Sequence, residues 1–170
     1  LNKSYFNNKE GGVEPDFFND EYISKGFYKS IEESFYSEIT QLSKKNRVIL
    51  VYPIPEVGWN FPQKYFNQFP KKMSFKKDLF VPKNYITTSY QVYKNRTKSS
   101  FELLDSTQGE NIYRVYPHTL FCDTTIKERC VTHDDKNVFY SDDKHPSIKG
   151  AEMINDLIMK EIERIENESN

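Results

Sequence analysis

Asp142 and His145 stand three positions apart in Ser141-Asp142-Asp143-Lys144-His145-Pro146, just ahead of a helical pattern. A carboxylate at that distance can take the Nδ1 proton of the imidazole, fix its tautomer and stabilise the imidazolium. Nε2 is then free to deprotonate a nucleophile. A serine hydroxyl is a poor nucleophile without such a base. The chemistry suggested is therefore acyl transfer, with Asp142 and His145 as its acid–base half. Taken bare, the spacing is weak. Two fixed positions recur by chance, and a solvated surface loop carrying Asp, Asp, Lys and His explains it as well. Ser147 is placed to cap the following helix, and Gly150 would let the start of that helix pack closely.

The surrounding elements must hold this loop. Tyr28, Ile31, Phe35, Ile39 and Leu42 recur at three- and four-residue steps and predict a helix over about Asp20 to Lys45. Residues 1–16 read as loop. Val48-Ile49-Leu50-Val51-Tyr52, closed by Pro53, predicts a strand buried on both faces. Residues 53–82 carry five prolines and read as a long irregular segment, of the kind that is often functional. Thr87 or Thr88 is expected to cap a helix to about Leu104. Ile112 to Val115 is a second strand, and Val138 to Tyr140 a brief extended piece. The last helix runs from about Ser147 to Glu166, with Ile154, Leu157, Ile158, Ile162 and Ile165 on its apolar face. Helix–strand succession of this kind predicts an α/β fold, with a parallel sheet and helices on both faces.

Composition narrows the function classes. The 170 residues carry a net charge of −1, with 36% apolar and 29% charged side chains. That balance supplies no basic footprint for nucleic acid. No apolar run approaches the roughly 18 residues of a membrane helix. Twelve Tyr, thirteen Phe and one Trp exceed what a core of this size needs, which leaves rings for a groove. Glu56 and Trp59 follow the carboxyl end of the first strand, where α/β sheets bind ligands. A ring there can stack on a sugar, although a packed loop accounts for both residues equally. Cys122 and Cys130 either close a small loop as a disulfide or remain reduced. A zinc site built from them with His118 and His133 matches no common spacing, and neither metal nor cofactor is expected. Asp105-Ser106 reads as a helix end and Phe18-Asn19-Asp20 as helix capping.

The wider string sharpens the reading. Tyr140, Asp142, Asp143, His145, Ser147, Gly150 and Ala151 together resemble the last signature block of the SGNH, or GDSL-like, hydrolases. The resemblance is to SGNH domains fused behind membrane acyltransferase-3 domains, with Pro146 in place of the usual Leu. Val48 to Tyr52 followed by Pro53-Ile54-Pro55-Glu56 looks like the strand and turn of that subfamily. Cys122 and Cys130 sit where its members carry a Cys pair. The resemblance spans about residues 47 to 160.

It implies an SGNH-hydrolase-like, flavodoxin-like sheet and a Cys122–Cys130 disulfide. It assigns His145 as general base and then acid, with Asp142 orienting it. It also implies a place on the periplasmic face of a bacterial inner membrane. There, a membrane domain of the same parent chain delivers an acetyl group for transfer to surface polysaccharide such as O-antigen. The family's G-D-S nucleophile motif and its oxyanion block are absent from this sequence. The expectation is that they, with the first strands of the sheet, lie N-terminal to Leu1, so that the 170 residues form one C-terminal domain fragment. A carbohydrate esterase is compatible with the same residues. So is a non-catalytic polysaccharide-binding or docking module.

Overall fold

The computed structural model describes residues 10–12, 26–68 and 85–168. The expected cap at Phe18-Asn19-Asp20 lies outside them, as do most of residues 1–16 and the segment 69–84.

Helix α1 spans Ile31–Ser43. Ser30 caps it by accepting from the Glu33 amide, and the Glu33 carboxylate accepts in turn from the Lys29 amide. This reciprocal arrangement stops the helix at Ile31, short of the predicted start. Of its predicted apolar face, Phe35 and Ile39 pack on a core of Leu50, Tyr52 and Ile112. Ile31 and Leu42, at the two ends of the helix, are half exposed.

That sheet pairs β1 (Val48–Val51) with β3 (Ile112–Val115) in parallel, Val48 opposite Ile112 and Val51 opposite Val115. Side chains alternate across it. Val48, Leu50 and Ile112 face α1 and helix α3 (Tyr90–Ser106). Arg114 points the same way and donates to the Leu104 and Thr107 carbonyls at the end of α3. On the opposite face the Arg164 guanidinium of helix α4 (Ile148–Asn167) lies over the Tyr113 ring. Helices thus cover both faces, as the family pattern implies. One detail differs. Val51 remains 43% exposed, so β1 is not buried on both faces by the described residues.

Two further strands escape the sequence pattern. β2 (Thr87–Ser89) pairs antiparallel with β4 (Arg129–Val131). Thr87 and Thr88 belong to this strand, and the cap of α3 is Ser89, which accepts from the Val92 amide. A three-residue strand shows no measurable alternation, so tertiary pairing decides it. The proline-rich stretch after β1 also contains a short helix, α2 (Phe61–Phe66), capped by Asn60.

The larger core joins Val57, Phe61, Ile86, Phe121, Val131, Phe139 and Tyr140 around the Cys122–Cys130 disulfide. The disulfide closes an eight-residue separation at the edge of β4. Replacing both cysteines by serine is expected to cost about 2–3 kcal/mol. Urea unfolding of the oxidised protein against the double variant measures it, and equal midpoints would exclude a stabilising role for the bond.

Candidate active site

The segment from Phe139 to Ser147 is a loop pinched at its base. The Ser141 amide donates to the His145 carbonyl at 2.9 Å, and the Ser147 amide donates to the Phe139 carbonyl at 2.9 Å. Ser147 Oγ caps α4 by accepting from the Gly150 amide and donates to the Val138 carbonyl. Gly150 is required by contact: a Cβ there would lie 2.2 Å from the Phe139 carbonyl oxygen.

Inside this loop Asp142 Oδ1 accepts the amides of Lys144 and His145 at 2.9 and 2.7 Å. Its Oδ2 lies 2.6 Å from His145 Nδ1. Both oxygens of one carboxylate are used, one on the backbone and one on the ring. The pair is therefore aligned by the turn itself. With Nδ1 held by the carboxylate, Nε2 is the nitrogen available for proton transfer. The His145 side chain is 64% exposed, so Nε2 chemistry is not sterically sealed. Desolvation pushes the Asp142 carboxyl up, but the two amides and the His145 ring outweigh it and hold the group below the usual carboxylate range.

Asp143 behaves oppositely. It is buried, and desolvation together with the neighbouring Asp142 charge raises its carboxyl above the usual range. A raised folded-state value means stability that is full below the unfolded value, about 3.9, and lost as pH rises through the folded one. Asp143→Asn should therefore raise stability at pH 7. The gain should shrink as pH falls through the raised value and vanish below about pH 4. Denaturant unfolding at pH 7 and pH 3 tests this, and an equal or larger gain at pH 3 would contradict it.

The loop is anchored to the segment after β1. The Val57 and Gly58 amides both donate to the Asp143 carbonyl, at 2.7 and 3.0 Å. Gly58 does so with φ of 78°, a conformation that favours glycine. Two tyrosine hydroxyls satisfy the proline-rich turn. Tyr140 donates to the Pro55 carbonyl and Tyr93 to the Pro53 carbonyl, both at 2.7 Å. Burial raises both phenols, so they remain protonated donors.

Glu56 and Trp59 flank that anchor. The Glu56 carboxylate pairs with Arg96 of α3 at 2.7 Å. Trp59 packs on the larger core, and the Lys64 ammonium lies 3.0 Å above its ring centroid. Arg96 is not distinguishable by pattern, since a lone arginine in a polar helix carries no signal. Cys122 and Cys130 are bonded to each other. The Ile86 amide donates to His133 Nε2 at 3.0 Å, and His133 Nδ1 lies 2.9 Å from the Asp134 carbonyl oxygen. That pattern fixes a structural histidine, with Nε2 accepting and the proton on Nδ1. His118 sits among Tyr90, Tyr93, Phe101 and Tyr116, and burial lowers its affinity for a proton. Asp105 accepts from the Tyr52 hydroxyl, and Ser106 ends α3, so this Asp-Ser pair is a helix end.

Three comparisons with known proteins bear on this arrangement. A family model described as the SGNH domain fused to AT3 domains matches residues 2–160. No curated protein matches the chain. No solved structure matches it either. None of the described helices is long and apolar enough to cross a membrane.

Proposed function

The chain belongs to the family of SGNH domains fused to AT3 domains, and from that premise we propose that it carries the acid–base half of a bacterial O-acetyltransferase. The family is hydrolase-like and associated with membrane acyltransferases. The finer reading is that this domain passes an acetyl group to a hydroxyl of surface polysaccharide, O-antigen in particular, on the periplasmic face. The parent's membrane domain supplies the donor.

The observation that carries this reading is the 2.6 Å contact between His145 Nδ1 and Asp142 Oδ2, aligned by two amides on the second carboxylate oxygen. In the first half-reaction Nε2 takes the proton of a serine hydroxyl as its oxygen attacks the acyl carbonyl. The tetrahedral intermediate collapses, the donor's leaving group departs with that proton, and an acyl-serine remains. In the second half-reaction Nε2 takes the proton of an acceptor hydroxyl, whose oxygen attacks the acyl carbon. Serine then leaves and recovers the proton. Asp142 stabilises the imidazolium in both halves and is not itself protonated.

The sequence has no G-D-S motif, so in this reading the serine and the oxyanion donors belong to a part of the parent outside these residues. The exposed face of Val51 and the absence of a second partner for β1 among the described residues are compatible with further strands there. The experiment is an acetyl-transfer assay on the parent protein, with His145→Ala as its variant. Full activity in that variant would end the proposal. Water in place of the sugar would make the same site an esterase, and the ratio of free acetate to acetylated glycan separates the two.

A further inference from the structure

Residues 10–12 lie against the turn that anchors the Asp142–His145 loop. The Gly11 amide donates to the Val57 carbonyl at 3.0 Å, and the Val57 amide donates to the Asp143 carbonyl at 2.7 Å. Val57 is thus a central rung between two segments remote from it in sequence. Gly11 and Gly12 are buried between that turn and α3, with φ of 76° and 67°. A Cβ on Gly11 would lie 2.8 Å from Val92 Cγ1, and one on Gly12 would lie 2.6 Å from Glu56 Oε2. Glycine meets both demands, the left-handed backbone and the narrow space.

Ion pairs hold both ends of this segment. The Glu10 carboxylate accepts from the Arg129 guanidinium, which also donates to the Thr87 carbonyl and hydroxyl, each at 3.0 Å. At the other end Gly12 lies against Glu56, which pairs with Arg96 of α3 at 2.7 Å. Stability alone does not account for the arrangement. The two glycines bring no side chain to the core. Both ion pairs are partly exposed, and pairs of that kind contribute little net, while the ordering of three residues opposes them. What the segment fixes is a position. Asp142 and His145 are aligned with each other by bonds inside their own loop. The place of that loop in the domain is set from outside, in part by the Val57 and Gly58 amides, and Gly11 holds Val57 from its other side.

We propose that Glu10, Gly11 and Gly12 are positioning residues for acyl transfer: they brace the turn that holds Asp143, and so fix the distance from His145 Nε2 to the attacking serine. The role rests on the acyltransfer reading, while the brace itself stands on the hydrogen bonds and ion pairs of this chain. Proton transfer needs the serine within hydrogen-bond reach of Nε2, so a loop correctly made but wrongly placed is a poor base.

The test uses the parent protein, with acetyl transfer measured well below the melting temperature of each variant so that only folded protein is counted. Gly11→Ala pushes the segment off Val92 and should lower kcat about a hundredfold, the effect of a misplacement of about 1 Å. Glu10→Ala removes the Arg129 pair at a partly exposed site and should lower kcat about tenfold. Glu10→Gln, which keeps a neutral hydrogen bond, and Gly11→Ala combined with Val92→Ala, which removes the atom struck, should recover most of the respective losses. The acceptor KM and the pH–rate profile should not move, because the pairing of Asp142 with His145 is intact. Hydrogen–deuterium exchange over residues 55–60 reads the brace without any chemistry and should quicken in Gly11→Ala and Glu10→Ala. Exchange unchanged in both would overturn the brace. Faster exchange with kcat unchanged would overturn the positioning role, and so would a pH–rate profile that shifts with kcat. Full transfer by His145→Ala would overturn the acyltransfer reading and the positioning role with it.

Discussion

His145→Ala in the parent protein is expected to lower acetyl transfer about a hundred- to ten-thousand-fold, the span that a positioned general acid–base contributes. The side chain is 64% exposed, and Asp142 holds its ring through Nδ1. Its loss should leave the melting temperature nearly unchanged, so lost activity is not lost fold. Asp142→Asn should cost activity for a different reason. The amide can still accept the Lys144 and His145 backbone bonds through its oxygen. Its NH₂ then faces Nδ1 and favours the tautomer with the proton on Nε2, which cannot act as base. The expected pattern is a severe loss in both variants and less than additive loss in the double variant, because the two residues act as one unit. Acetylated glycan formed per unit time by the three variants measures it. A double variant showing the product of the two single losses would mean that the residues work independently.

Gly150→Ala should destabilise the fold strongly. The new Cβ would fall 2.2 Å from the Phe139 carbonyl oxygen, a backbone atom that cannot rotate away. That carbonyl accepts from the Ser147 amide at 2.9 Å. Relief of the clash must therefore separate the start of α4 from the strand-like piece at Phe139 and break the base of the Asp142–His145 loop. Overpacking of this kind costs about 3 kcal/mol, about two factors of ten in the folding constant. The loop carries Asp142 and His145, so activity should fall along with stability. Cooling or an added osmolyte should restore the fold more fully than the activity. Urea unfolding and acetyl transfer at two temperatures check both statements. A variant as stable as the natural chain would show that the helix can shift without cost.

Much of the candidate site is legible in the order of residues alone. Asp142, His145, Ser147 and Gly150 are close in sequence, and their geometry is made by one tight loop and one helix cap. Local hydrogen bonds decide such an arrangement, and local bonds leave a local pattern. The parallel β1–β3 pair is legible for a similar reason. Runs of β-branched residues between helical patterns have few alternative uses. The Cys122–Cys130 bond follows from resemblance, since spacing alone leaves the redox state open.

Tertiary structure decided what distant residues do together. Val57 and Gly58 hold the Asp143 carbonyl from more than eighty positions away, and amides carry no side-chain signature. Tyr93 and Tyr140 close on proline carbonyls in the same turn. In composition they are only two of many aromatics. β2 and β4 are too short for periodicity and exist because each completes the other. Glu56 is a candidate by position, and only the fold pairs it with Arg96. The sequence by itself determined the pairing of Asp142 with His145, because neighbours along the chain make it. What anchors their loop was decided by packing against the turn after β1, where the energy lies in contacts between residues far apart in sequence.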